Sequence, residues 1–157
     1  MTPKAETWPG LSHAIPIRVL VVEDFLPFRQ FVLSTLASVC DLQVIGEASD
    51  GCEAVQKAAE RQPDLILMDI GLPRLNGIEA ARQIRKLVPD SIIIFLTLES
   101  SPSAVQEALS LGAQGYVVKT KAGSELLPAV EAVLLGRTFV SGNMQSPSQP
   151  TSIQSPG

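Results

Sequence analysis

Apolar positions along the chain follow two rhythms that alternate. Short continuous runs are separated by stretches in which apolar residues recur every three or four positions. Arg18-Val-Leu-Val-Val-Glu-Asp24 is apolar throughout its middle and ends in acid, the pattern of a strand buried on both faces. Phe28, Phe31, Val32, Leu36 and Val39 then fall at helical spacing, with Pro27 placed for a first turn. Gln43 to Ala48 reads as a short strand. Asp50 is placed to cap a second helix, with Glu53 three residues on as the reciprocal partner. Asp64-Leu-Ile-Leu-Met-Asp69 is another apolar strand closing on acid. Asn76 and Glu79 repeat the cap pattern before Ile78, Ala81 and Ile84. Ser91-Ile-Ile-Ile-Phe-Leu-Thr97 is the most strand-like run. Ser101 and Pro102 open a fourth helix, and Gly112 closes it. Gly115 to Val118 is a last short strand. Ser124 to Leu135 is a last helix, with Pro128 in or just after its first turn.

Five strands alternating with five helices predict an α/β domain whose mostly parallel sheet is covered on both faces. In such sheets, ligands bind beyond the carboxyl ends of the strands, where strand order reverses. The chemistry of this chain stands at those ends. The first strand ends in Glu23 and Asp24, the third in Asp69 and the fourth in Thr97, and the fifth is followed by Lys119. A single Asp at a strand end is ordinarily a helix cap or turn residue. Five such groups at the ends of four strands need another reason. Three adjacent carboxylates repel one another and take up protons unless a cation sits among them. Their oxygens suit Mg²⁺, and a carboxylate beside Mg²⁺ and a lysine can attack a phosphoryl group to give an acyl phosphate. Thr97 and Lys119 would then hold the transferring oxygens.

Composition narrows the classes. The 157 residues are 45% hydrophobic and carry a net charge of −4, enough apolar material for a core and too acidic for a phosphate-gripping nucleic-acid domain. Only 4% are aromatic, which leaves few stacking platforms for single strands. Two cysteines, Cys40 and Cys52, make neither a disulfide scaffold nor a CxxC zinc site, so a reducing compartment is expected. Residues 1–16 are Pro- and Gly-containing, hold the lone Trp8 and His13, and read as a flexible tail with no signal peptide. His13 has no neighbour with which to share a metal. The apolar runs fall short of the ~18 residues that span a bilayer, so a cytoplasmic protein is expected. Residues 141–157 are Ser/Pro/Gln-rich and read as a tail or linker, leaving residues 17–140 as the folded domain.

In combination these residues resemble the receiver domain of two-component response regulators. The acidic pair stands in Val22-Glu23-Asp24, and the phosphoacceptor segment in Leu67-Met68-Asp69-Ile70-Gly71-Leu72-Pro73, followed by Asn76-Gly77. Thr97 matches the switch hydroxyl. Leu111-Gly112-Ala113-Gln114-Gly115-Tyr116-Val117-Val118-Lys119 matches the switch-aromatic and lysine segment. The ending Gly136-Arg137-Thr138-Phe139-Val140-Ser141 is similar to receivers that precede a LuxR/NarL-type helix-turn-helix domain. The resemblance implies a flavodoxin-like (βα)5 fold with strand order 2-1-3-4-5. It implies that Asp69 accepts a phosphoryl group from a sensor histidine kinase. Asp24 and Asp69 would ligate Mg²⁺ directly, Glu23 through water, and Gly71 through its backbone carbonyl. Thr97 and Lys119 would bind the phosphoryl oxygens. Tyr116 would turn inward as Thr97 is drawn to the phosphate, reshaping the surface of the fourth helix, fifth strand and fifth helix.

Two positions depart from the usual pattern beside the site. Leu98 follows Thr97 where Ala or Gly is common, and would shield the acyl phosphate or slow small donors. Glu99 adds negative charge near the mouth. Thr120 follows Lys119 where many receivers have Pro. A non-enzymatic switch is expected. The alternative is a pseudo-receiver that docks without phosphorylation. An aspartyl-phosphate phosphohydrolase would need a second acid where Gly71 stands, and a nucleotide-binding flavodoxin-like protein would need a Gly-rich loop after the first strand. Direct contact with nucleic acid by this chain is not expected, because a DNA-binding output domain would lie outside it. Pairing of two copies through the first and last helices is left open.

Overall fold

Each of the five apolar runs forms a strand, and the strands lie side by side in one parallel sheet. The computed structural model describes residues 15–98 and 102–141. Strands β1 (Ile17–Val22), β2 (Leu42–Ala48), β3 (Leu65–Asp69), β4 (Ile92–Thr97) and β5 (Gly115–Val118) alternate with five helices. These are α1 (Leu26–Ala37), α2 (Gly51–Arg61), α3 (Gly77–Leu87), α4 (Pro102–Ser110) and α5 (Ala122–Leu134). The order β2-β1-β3-β4-β5 is the expected flavodoxin-like one, with a further strand, β6 (Phe139–Val140), beside β5. Chain order reverses between β1 and β3, so a crevice opens beyond their ends.

Strand geometry divides the apolar runs between two cores, because alternate residues face opposite sides of the sheet. Leu20, Val22, Ile66, Met68, Ile93, Phe95 and Tyr116 pack toward α2, α3 and α4. Val19, Val21, Leu65, Leu67, Ile94, Leu96 and Val117 pack with Val32, Leu36, Leu126 and Val130 of α1 and α5. Every residue of β3 is buried, which explains its unbroken hydrophobicity. Full burial of one such side chain contributes about 1.5–3 kcal/mol.

The helix ends show where local chemistry departs from expectation. Asp50 and Asn76 cap α2 and α3 by accepting from Glu53 N at 2.8 Å and Glu79 N at 2.9 Å. Neither acidic side chain reaches back to its cap. Glu53 Oε1 accepts from Ser49 N at 2.9 Å, one residue earlier, and Glu79 pairs with Arg82 at 3.2 Å. Gly112 ends the α4 turn at φ +91°, a conformation that side chains disfavour. Ser101, expected at the head of α4, lies outside the described residues, as do Trp8 and His13. Helix α5 begins at Ala122, after a 3-10 turn over Lys119–Lys121, so Pro128 is its seventh residue rather than a first-turn one. That proline has no N–H to donate to the Ser124 carbonyl, and the helix continues to Leu134 with one bond fewer. All described peptide bonds are trans, Lys119–Thr120 included.

Composition places Ser141 at the head of a tail, yet its backbone is ordered and the residue is fully buried. Its N–H donates to Tyr116 O at 2.9 Å. Its Oγ accepts from Val118 N at 2.8 Å and donates to Glu125 Oε1 at 2.6 Å. Replacing Ser141 by alanine leaves the Val118 N–H buried and unpaired, an expected loss of about 1–3 kcal/mol. The midpoint of urea unfolding measures it, and a Ser141→Ala protein as stable as the parent would contradict it.

Candidate functional site at the strand ends

Three chain segments leaving the sheet converge on one acidic cluster. The first leaves β1. Glu23 N donates to Ala48 O at 2.9 Å, carrying the chain one residue past the strand and burying the Glu23 side chain completely, while Asp24 turns outward. The second leaves β3. Asp69 is its last residue, and Gly71 N donates back to Asp69 Oδ1 at 3.1 Å. The start of α3 closes over this turn through Gly77 N and Ile70 O at 2.8 Å. Only glycine fits there, since a Cβ on Gly77 would stand 2.2 Å from Asp69 O. The third leaves β5 and delivers Lys119, whose Nζ lies 2.8 Å from Glu23 Oε1 and 3.3 Å from Asp69 Oδ2.

Carboxylate oxygens of Glu23, Asp24 and Asp69 all lie within 4.8 Å of one another. One lysine balances only one of these three charges. Glu23 feels the strain most: burial pushes its carboxyl above the ordinary range, and the Asp69 charge pushes the same way. Its hydrogen bonds with Lys119 and with Phe25 N, the latter at 3.0 Å, pull against that rise. A hard divalent cation would relieve the remaining repulsion. A mostly carboxylate oxygen set fits Mg²⁺, which takes oxygen ligands and keeps several waters.

Two openings reach the cluster. One, of about 390 Å³, is lined by Glu23, Asp24, Phe25, Phe28, Asp69, Leu98 and Lys119. The other, of about 200 Å³, adds Ile70, Gly71 and Thr97 to the shared Asp69, Leu98 and Lys119. Six of the expected chemical groups therefore meet at one place. Thr97 is buried at the end of β4, on the same sheet face as Phe95 and Tyr116. Tyr116 lines neither opening and is fully buried in the core beneath. Leu98 stands at the mouth, 74% exposed, and Glu99 lies outside the described residues. A separate hollow between α1 and β2, of about 420 Å³, is lined by Leu33, Leu36, Ala37, Leu42, Val44 and Glu47, with no chemical group beyond that one acid.

Two neighbours of the site escape sequence reasoning. Phe28, placed by its spacing in the α1 core stripe, lies with its ring 4.9 Å from Lys119 Nζ, a cation–π contact that helps fix the ammonium. Arg29 donates to Glu23 O at 2.8 Å and pairs with Glu47 at 3.2 Å, holding the acidic turn from outside. Both follow the acidic pair closely, but helical periodicity cannot report which side chain bends over a strand end.

The model of the response regulator receiver domain matches residues 19–131. LiaR of Bacillus subtilis, a transcriptional regulatory protein, is 39% identical over 120 residues, covering 76% of this chain and 57% of that one. The response regulator VraR of Staphylococcus saprophyticus is 36% identical over 116 residues, covering 74% and 56%. The chain thus spans a little over half the length of these relatives. Among solved structures, a LuxR-family two-component response regulator from Aurantimonas is 32% identical with a TM-score of 0.78, covering 82% of this chain and 92% of that one. The response regulator domain of Thermotoga maritima CheB is 36% identical with a TM-score of 0.68, covering 74% and 94%. Among the described residues no helix is long and apolar enough to cross a membrane. The match runs through both acidic segments, Thr97 and Lys119, and the chain belongs to the response regulator receiver domain family, the non-enzymatic signalling module of two-component systems.

Proposed function

We propose that this chain is a phosphorylation switch that takes a phosphoryl group onto Asp69 from a sensor histidine kinase in the cytoplasm. The observation that carries the reading is Lys119 Nζ, 2.8 Å and 3.3 Å from two of three clustered carboxylates. An Asp69 oxygen attacks phosphorus, the P–N bond of the phosphohistidine breaks with its electron pair staying on the ring, and an acyl phosphate forms. Asp24, Asp69 and the Gly71 carbonyl would hold Mg²⁺ directly, and Glu23 through water. The ion supplies positive charge opposite the developing charge on the phosphoryl oxygens. Lys119 and Thr97 bind those oxygens from the protein side.

Phosphorylation adds charge and three acceptor oxygens beside Thr97, which favours a hydroxyl position near the phosphate. Tyr116, on the same face of the adjacent strand, responds to the space that this movement changes. The α4–β5–α5 surface is the readout. A coupling of this kind is typically about 1–3 kcal/mol, so unphosphorylated protein retains an active minority. Any DNA-binding output belongs to sequence beyond the receiver.

Incubation with Mg²⁺ and acetyl phosphate should add one phosphoryl group by intact mass, and Asp69→Asn should abolish the addition. Absence of the adduct with every phosphodonor, a kinase included, would overturn the proposal and leave only a docking role.

A further inference from the structure

The larger opening onto Asp69 has an acidic floor and apolar walls. Its walls are Phe25, 61% exposed, the ring of Phe28, and Leu98, 74% exposed. Large apolar side chains so exposed, side by side at a charged site, have a cost in solvent that packing does not offset. Below them lie three carboxylates and one ammonium. We propose that Phe25, Phe28 and Leu98 form a leaving-group subsite that selects a protonated, planar heteroaromatic ring, the imidazole of a phosphohistidine, over the small anionic leaving group of an acyl phosphate. The proposal rests on Asp69 being the phosphoacceptor.

Three observations point to that occupant. In-line displacement sends the leaving group to the side of phosphorus opposite Asp69, toward the mouth that these side chains wall. The floor carries more negative than positive charge, which repels a departing acetate and attracts a protonated ring. Aromatic faces favour the same cation, by cation–π contact and by stacking. Phe28 already gives a face to Lys119 at 4.9 Å, so Phe25 and Leu98 are the surfaces open to a donor. The step balances: the Asp69 O–P bond forms as the P–N bond breaks. The electron pair remains on the ring nitrogen while the other nitrogen keeps its proton, so neutral imidazole departs.

The test compares two donors, phosphoimidazole and acetyl phosphate, on the parent chain and on Phe25→Ser combined with Leu98→Ala. The Phe25 N–H that bonds Glu23 survives this change, and neither side chain is buried, so the fold is retained. The parent should prefer phosphoimidazole, and the double variant should lose about tenfold of that preference, as a lost hydrophobic contact costs elsewhere. Phe25→Tyr, which keeps the ring, should retain it. A preference changed by less than about twofold in the double variant overturns the subsite while leaving the phosphoacceptor intact, since both donors would still label Asp69. No labelling of the parent by either donor overturns the phosphoacceptor reading itself, and the subsite with it.

Discussion

Lys119→Met is expected to destabilise the metal-free protein by about 3 kcal/mol at neutral pH, because it leaves buried Glu23 and Asp69 facing each other without a counter-charge. Lys119 Nζ is the cation 2.8 Å from Glu23 and 3.3 Å from Asp69, and all three side chains are largely shielded from water. The loss depends on pH in a definite direction. In the parent, the Glu23 carboxyl already titrates above its ordinary value of 4.5, burial being the main cause and the Lys119 contact the main opposition. Removing the lysine raises it further. A carboxyl raised in the folded state favours folding while it is protonated, and that advantage is lost as pH climbs through the raised value. The deficit of the variant should therefore vanish below the ordinary carboxylate range and grow toward neutrality. Saturating Mg²⁺ should return much of the difference, as any ligand held only by the folded state does. Chemical denaturation at two pH values, with and without Mg²⁺, measures all of this. A deficit independent of pH would contradict it. Phosphoryl transfer to Asp69 should also slow by about a hundredfold, the usual cost of one missing charge-stabilising donor.

Gly77→Ala is expected to be comparably damaging from the opposite direction, by excess rather than loss. The added methyl would lie 2.2 Å from Asp69 O and 2.8 Å from Ile70 Cα, and backbone atoms cannot swing aside as a side chain could. Helix α3 has to retreat, at a cost of about 3 kcal/mol, the upper part of the range for overpacked sites. The retreat would break the 2.8 Å bond from Gly77 N to Ile70 O and release the turn whose Gly71 N–H holds Asp69 Oδ1. Mg²⁺ affinity should fall by tenfold or more with every acidic side chain still present, as happens when groups that orient ligands are lost. Calorimetric titration of Mg²⁺ into Gly77→Ala at a temperature where it is folded tests this. An unchanged affinity would show that α3 does not position the phosphoacceptor.

Much of the fold could be read directly because its elements are long in the relevant sense. β3 and β4 are unbroken apolar runs, and α2 and α3 carry Asp50 and Asn76 at their first positions, which are local signals with local causes. Glu23, Asp24, Asp69 and Lys119 were legible for the same reason: each terminates or follows a buried run, and strand topology alone brings such ends together. β6 was not, since two residues have no period, and Phe139 and Val140 join the sheet only because β5 offers an edge. Ser141 looked like the start of a Ser/Pro segment, and only its bonds to Val118 and Glu125 distinguish it. Helix α5 begins two residues before its expected start, where the 3-10 turn over Lys119–Lys121 hands its last carbonyl bonds to the helix. The apolar walls of the site were half legible. Leu98 stood out beside Thr97, whereas Phe25 and Phe28 needed the path of α1 over the strand ends.

The two-residue strand β6 has a meaning for the sheet as a whole. A parallel sheet has two margins, and β5 would be one of them, a short strand with fully buried side chains and a row of backbone donors and acceptors facing outward. Such a margin is a template on which a foreign strand can build. Phe139, Val140 and Ser141 occupy that template with the chain's own backbone, and Ser141 closes the last donor on Val118 with a side chain. The smallest unit of this sequence that guards itself against edge-to-edge association therefore extends through Ser141, past the last helix.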